Sequence, residues 1–155
     1  MSGVRFLLLD SSIPGEFAGR LDPDSLVWLA DQLEHPVGVP TLVALHHPPM
    51  HLGHPVIDTL GLQNPLPLRD ALIGNVDLVA TLVGHTHAAT AATFAGRPLL
   101  VAPGVHSIGQ LPWQGDGSMA ALIDPAAPPA LALHRLETGS RTMVSYFVTV
   151  STDLR

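Results

Sequence analysis

The chain has 155 residues, a formal net charge of −6 and no cysteine. This length suits a single domain with a buried core. The lack of cysteine excludes disulfides, thiolate zinc sites and a cysteine nucleophile. The negative charge, without any run of Lys or Arg, argues against binding to a nucleic-acid polymer. No apolar run approaches the about 20 residues that a transmembrane helix needs, and the cytoplasm is the default compartment.

The composition is unusually apolar for a domain of this kind. Charged residues make up 13% of the chain and the mean hydropathy is +0.34, whereas roughly 25% charged residues is typical. We therefore expect one face of the domain to be covered by more protein, for example through self-association.

Strands and helices alternate in the first half of the predicted fold. Residues 4–9 form an apolar run typical of a buried strand. Asp22 is predicted to cap a helix with Pro23 in its first position. Further strands are predicted at 41–45 and 77–83, with a short helix at 66–73 between them.

The second half is predicted to be rich in strands. Residues 90–94 and 98–102 form a hairpin through Ala95-Gly96. Additional strands are predicted at 119–123, 130–136 and 142–150. The expected fold is α/β, with early strand–helix alternation followed by antiparallel strands.

Two histidine motifs directly follow predicted strands. They are His46-His47-Pro48-Pro49 and Gly84-His85-Thr86-His87. Open α/β sheets build their sites at the carboxyl ends of strands, and neutral imidazole is a common metal ligand. Either motif alone is weak evidence, because short histidine patterns are often incidental. Their order, each after an apolar strand, predicts a metal site.

These motifs carry a resemblance to a known family. The chain resembles the carboxy-terminal half of a calcineurin-like metallophosphoesterase, nearest to class III cyclic-nucleotide phosphodiesterases and related glycerophosphodiesterases. The match runs from Leu7-Leu8-Leu9-Asp10-Ser11-Ser12-Ile13-Pro14-Gly15, through both histidine motifs, to Pro103-Gly104-Val105-His106. The resemblance implies that residues 1–155 form one domain, part of a four-layer α/β/β/α sandwich.

The resemblance also implies a site and a reaction. His46 and His85 would ligate one metal ion, His87 a second, and His106 would lie near the substrate phosphate. His47 would be structural. The family uses two divalent ions, iron, manganese or zinc, to hydrolyse a small phosphodiester such as a cyclic nucleotide.

The chain departs from the family in one major respect. The motifs Asp-x-His, Gly-Asp-x-x-Asp and Gly-Asn-His-Asp/Glu, which would precede residue 4, are absent. We therefore expect no catalytic residue beyond the metal ligands, at most one bound ion, and little or no activity from this chain alone. The alternative is a non-catalytic half-domain or pseudoenzyme that binds a partner chain or a single ion.

Four other histidines are interpreted without a catalytic role. His51 and His54 are predicted to be solvated loop residues, His35 to end a helix, and His134 to lie on a strand surface. Asp10 is predicted to accept hydrogen bonds from nearby loop backbone.

Overall fold

The fold is a mixed α/β arrangement, as predicted. A computed structural model describes residues 3–114, 116, 118–124, 126–137 and 139–150, so residues 1–2 and 151–155 of the predicted domain lie outside it. The chain order is β1 (Arg5–Leu8), α1 (Pro23–Glu34), β2 (Thr41–Ala44), a 3-10 helix (Ile57–Leu60), α2 (Pro65–Leu72), β3 (Leu78–Val83), β4 (Thr90–Phe94), β5 (Arg97–Val101), β6 (Ile108–Gly109), a 3-10 helix (Met119–Ala121), β7 (Ile123–Asp124), β8 (Ala130–Leu136) and β9 (Met143–Thr149). Within these ranges, no helix has the length and apolarity to cross a membrane.

The principal sheet has five strands in the order β1-β2-β3-β5-β4. The first four of these are parallel, and β4 pairs antiparallel with β5. The predicted turn joins β4 to β5, with positive φ at both Ala95 (51°) and Gly96 (75°). Two positive φ angles are typical of the tight turns that match the twist of a hairpin.

Both long helices pack on the same side of this sheet. Asp22 caps α1 as predicted, since its carboxylate accepts the Ser25 N–H at 2.8 Å. The core on this side joins strand residues to leucines of both helices, which are Leu29, Leu33, Leu68 and Leu72. Burial of these side chains holds the helix layer on the sheet.

The opposite side of the sheet is covered by the hairpin of β8 and β9. A small cluster forms around Leu42, Val79 and Ala80, against which Leu136 and Met143 of the hairpin pack. An ion pair between Arg141 in the hairpin turn and the buried Asp77 fastens the hairpin to the start of β3. The hairpin therefore covers the sheet mainly at β2 and β3.

The outer strand β1 is not covered on that side. In the register of β1 with β2, Phe6 lies beside Leu42 and Leu8 beside Ala44, so these side chains share one face. Phe6 is 56% exposed and Leu8 is 69% exposed, whereas Leu7, on the helix side, is buried. Part of the apolar surplus is thus an open patch on β1, and other exposed apolar side chains lie elsewhere, such as Leu133 and Tyr146 on the β8–β9 hairpin.

One predicted strand is wrong. Residues 119–123 were expected to be a strand, but Met119–Ala121 is a 3-10 helix and only Ile123–Asp124 is extended, paired with β6. Periodicity cannot separate helix from strand in so short an apolar run. Ile123 is extended because it pairs with Gly109 of β6, and the apolar pattern of 119–123 does not predict this pairing.

Candidate metal centre

The loops that follow β2 and β3 meet at one edge of the sheet. The Gly84 N–H donates to the His46 carbonyl at 3.0 Å, and the Leu45 N–H donates to the Leu82 carbonyl at 3.1 Å. These bonds extend the β2–β3 pairing beyond the strands themselves. The two histidine motifs, 38 residues apart from His46 to Gly84, are therefore fixed side by side.

Two of the predicted ligands face each other directly. Nε2 of His46 lies 3.3 Å from Nδ1 of His85. Zinc–nitrogen bonds are about 2.0–2.1 Å long in tetrahedral sites, which separates two nitrogen ligands of one ion by about 3.3–3.4 Å. The two imidazoles thus have the spacing that a shared divalent ion such as zinc requires.

The backbone at His85 adopts a conformation that histidine rarely takes. His85 has a φ of 68°, and the Thr86 N–H donates across it to the Gly84 carbonyl at 2.8 Å. A hydrogen bond that closes a three-residue turn with positive φ at the centre marks the rarer and more strained γ-turn. The turn places the imidazole of His85 beside that of His46. Backbone strain of this kind is typical of functional sites.

His47 belongs to the same cluster but has no lone pair to offer. One ligating atom each from His46, His47 and His85 lies within 4.8 Å of the others. Nε2 of His47, however, contacts the Phe17 carbonyl at 3.1 Å, and a carbonyl can only accept. The Nδ1 of the neutral ring then accepts from Ser11 Oγ at 2.8 Å. Because both nitrogens are engaged, we assign His47 a structural role despite its proximity.

The surroundings of His47 explain a glycine that the sequence did not single out. A Cβ at Gly19 would collide with the His47 ring. The loop before α1 can therefore approach only because residue 19 has no side chain. His47 connects this loop to the end of β2 and supports the neighbouring His46.

The electrostatics of the cluster favour neutral imidazoles. Burial, and then the neighbouring histidines, lower the pKa of His85 to about 4. Burial is also the main cause that lowers the pKa of His46 and of His47. Metal ligation needs the unprotonated ring, so at neutral pH this cluster is in the form that binds metal.

His87 lies outside the three-histidine cluster. Its Nδ1 contacts Ser107 Oγ at 2.9 Å, and its carbonyl accepts the N–H groups of Gly104 and Gly109, both at 3.1 Å. Like His85, it has a positive φ, at 56°. His87 is therefore not part of this cluster, and its assignment to a second ion stays a prediction.

The other predicted residues have mixed outcomes. His106 is exposed in the loop beside Ser107, and His51 is exposed as expected. His54 was expected to be solvated and is buried, because its Nδ1 accepts the N–H groups of Val56 and Ile57 at the start of the 3-10 helix.

Two of the remaining minor predictions, for His35 and Asp10, are confirmed, whereas His134 was expected on a strand surface and is half-buried. His35 is the residue at which α1 ends, and Asp10 accepts the Ser12 N–H at 2.8 Å. His134 lies on β8, half-buried, with its Nδ1 2.8 Å from Ser145 Oγ. Sequence reasoning missed the roles of Ser11 and Ser107. It also missed the role of Gly19, whose lack of a side chain lets its loop approach His47. A serine near a histidine motif has no local signal, since both contacts span distant parts of the chain.

Comparison with known proteins identifies relatives. The chain is 40% identical over 102 residues to the "Probable cyclic nucleotide phosphodiesterase" of Rhodococcus erythropolis, covering 66% of this chain and 34% of that protein. It is 39% identical over 102 residues to a cAMP/cGMP dual specificity phosphodiesterase of Mycobacterium tuberculosis, covering 66% and 32%. It is 28% identical over 132 residues to a glycerophosphodiester phosphodiesterase of Enterobacter lignolyticus, covering 85% and 46%.

The chain is homologous to the calcineurin-like metallophosphoesterases. The matched region spans about a third to a half of the length of these relatives, which fits the expected carboxy-terminal half. No protein-family model matches the chain. The metallophosphoesterase resemblance therefore depends on the individual relatives, all three of which carry phosphodiesterase names.

Proposed function

We propose that this chain supplies histidine ligands to the metal centre of a metal-dependent phosphodiester hydrolase. The substrate is a cyclic nucleotide or another small phosphodiester, as the names of the relatives suggest. His46 and His85 hold one divalent ion, and His87 contributes to a second. His106 contacts the substrate phosphate from its exposed loop.

The observation that carries the proposal is the 3.3 Å separation of Nε2 of His46 from Nδ1 of His85. Both rings come from strand ends that the backbone holds together, and both have lowered pKa values. When bound, a divalent ion supplies Lewis acidity and an activated water at neutral pH. Iron, manganese and zinc all suit imidazole ligands, so the metal remains open among these.

Two histidines with a third at a distance provide too few ligands for two ions. We therefore propose that this chain alone binds at most one ion and has little or no diesterase activity. Bis(p-nitrophenyl) phosphate with added Mn²⁺ tests the second point, and the expected result is turnover at the level of a protein-free control. Robust turnover that His85→Ala abolishes would overturn it.

Calorimetric titration with Zn²⁺ tests the site directly. One ion should bind to the unmodified chain, and His46→Ala and His85→Ala should each remove measurable binding. His35→Ala is the matched control, since His35 is exposed at the end of α1 and should leave binding unchanged. Equal binding by all four proteins would refute the proposed centre.

The open patch on β1 supports a second candidate function, that of a half-domain which associates with another chain. Phe6 and Leu8 are exposed on an outer strand whose far edge has no partner in the described sheet. Exposed apolar surface and unpaired strand edges both promote association. Light scattering that shows a monomer without binding of an apolar dye would contradict this candidate.

The predicted cytoplasmic location stays a prediction.

A further inference from the structure

The segment 104–109 wraps around His87. Gly104 and Gly109 both donate their N–H groups to the His87 carbonyl, each at 3.1 Å. Ser107 lies between them, is 7% exposed, and places Oγ 2.9 Å from Nδ1 of His87. Three separate contacts from one short loop therefore converge on a single residue.

The two glycines are needed for this close approach. A Cβ at Gly104 would collide with the Ser107 carbonyl and press on the His87 ring. A Cβ at Gly109 would collide with the Thr86 carbonyl. The two hydrogen bonds to the His87 carbonyl help to offset the cost of its left-handed backbone, which residues other than glycine rarely adopt.

We propose that Ser107 is the positioning residue of His87 and that its Oγ accepts the Nδ1 proton of the imidazole. The proton on Nδ1 leaves the Nε2 lone pair free, and only an unprotonated nitrogen can bind metal. A hydrogen bond to the remote ring nitrogen is the usual device that fixes the tautomer of a metal-binding histidine. The reason for fixing the tautomer of His87 rests on the proposed function, whereas the contacts between the loop and His87 do not depend on it.

Two other serine–histidine pairs in the chain provide comparisons. In the Ser11–His47 pair, Nε2 is protonated because it faces the Phe17 carbonyl, so the serine must donate to Nδ1. In the Ser145–His134 pair, at 2.8 Å on the β8–β9 hairpin, the contact lies away from both histidine motifs. In the Ser11–His47 pair the group that faces Nε2 therefore determines the tautomer, and the serine donates to Nδ1.

Nitrogen-15 NMR of the imidazoles in the metal-free full chain tests the proposal. Each tautomer has a distinct pattern of ring nitrogen shifts, so the measurement needs neither activity nor metal. We expect His87 to carry its proton on Nδ1 and His47 to carry its proton on Nε2. A His87 protonated on Nε2 in the unmodified chain would overturn the proposal.

Variants separate positioning from general support of the fold. Ser107→Ala should lose the Nδ1–H pattern of His87, while Ser107→Thr, which keeps the hydroxyl, should restore it. Ser145→Ala is the matched control and should change only His134. A His87 tautomer that is unchanged in Ser107→Ala would also refute the proposal.

The result is independent of whether the metal centre is correct. Failure of Zn²⁺ to bind at His46 and His85 would remove the proposed function and leave the tautomer of His87 as measured. Conversely, Zn²⁺ binding in a chain whose His87 carries the wrong proton would keep the centre and reject the role of Ser107. We expect Ser145→Ala to leave the Zn²⁺ affinity of the His46–His85 pair unchanged, because Ser145 contacts His134 on the β8–β9 hairpin.

Discussion

The two faces of the five-stranded sheet differ in how completely this chain covers them. On the helix side, Leu29, Leu68 and Leu72 have no exposed surface. On the other side, the hairpin reaches β2 and β3, while Phe6 and Leu8 on β1 remain more than half exposed. The comparison teaches that the five-stranded sheet has an open apolar patch at β1 on the side away from the helices. The helices cover their side of β1, where Leu7 is buried, whereas the hairpin does not cover Phe6 and Leu8.

The largest effect should come from the covered face. Leu68→Ala removes a fully buried side chain from the helix layer, which should lower the free energy of unfolding by about 2–5 kcal/mol because the transfer and cavity costs add. Urea denaturation followed by circular dichroism measures this. A loss below about 1 kcal/mol would show that the helix layer is loosely packed.

Asp77→Asn should have the next largest effect, because it loosens the hairpin that covers the other face. The Asp77 carboxylate accepts the N–H groups of Val37 and Gly38 at 2.8 and 3.0 Å and pairs with Arg141. Loss of a charged acceptor with several partners should cost about 2–3 kcal/mol. Arg141→Gln, which keeps the two backbone bonds, is the control and should cost less.

The same carboxylate should make stability depend on acid pH. Burial raises the pKa of Asp77, but the hydrogen bonds from Arg141, Gly38 and Val37 outweigh it and hold the pKa below 3.8. A depressed pKa in the folded state contributes stability above pH 3.8 that is lost as the pH falls through the folded value. Denaturation followed as the pH is lowered from roughly 6 to well below 3.8 should therefore show a steeper loss of stability for the unmodified chain than for Asp77→Asn.

The smallest effect on stability should come from the open face. Leu8→Ser changes an exposed residue, so the free energy of unfolding should shift by no more than about 0.5 kcal/mol. The apparent mass in light scattering should fall if the patch on β1 drives association. Leu7→Ser is the matched control on the same strand, and burial of its side chain should make that variant strongly destabilised. Equal destabilisation by both substitutions would contradict the comparison.

Much of the fold could be predicted because its signals are local. The N-cap at Asp22, the turn at Ala95-Gly96 and the strands before each histidine motif all depend on neighbouring residues. The meeting of His46 and His85 could also be predicted, since adjacent parallel strands end at one edge. The 3-10 helix at Met119–Ala121 could not, because a short apolar run has no decisive period.

The details of the site required the structure. Whether a histidine is a ligand or a support depends on contacts with distant residues, such as Phe17 and Ser11 for His47, or Ser107 for His87. The burial of His54 likewise follows from its bonds to the backbone of the 3-10 helix. No spacing in the sequence encodes these partners.

The left-handed backbone at His85 and His87 has a consequence for how such a chain changes over time. Glycine adopts these angles without steric cost, so replacing either histidine by glycine would relieve strain. Selection for stability alone would therefore tend to erase both residues. This chain keeps the two histidines at a cost in backbone strain that glycine would avoid.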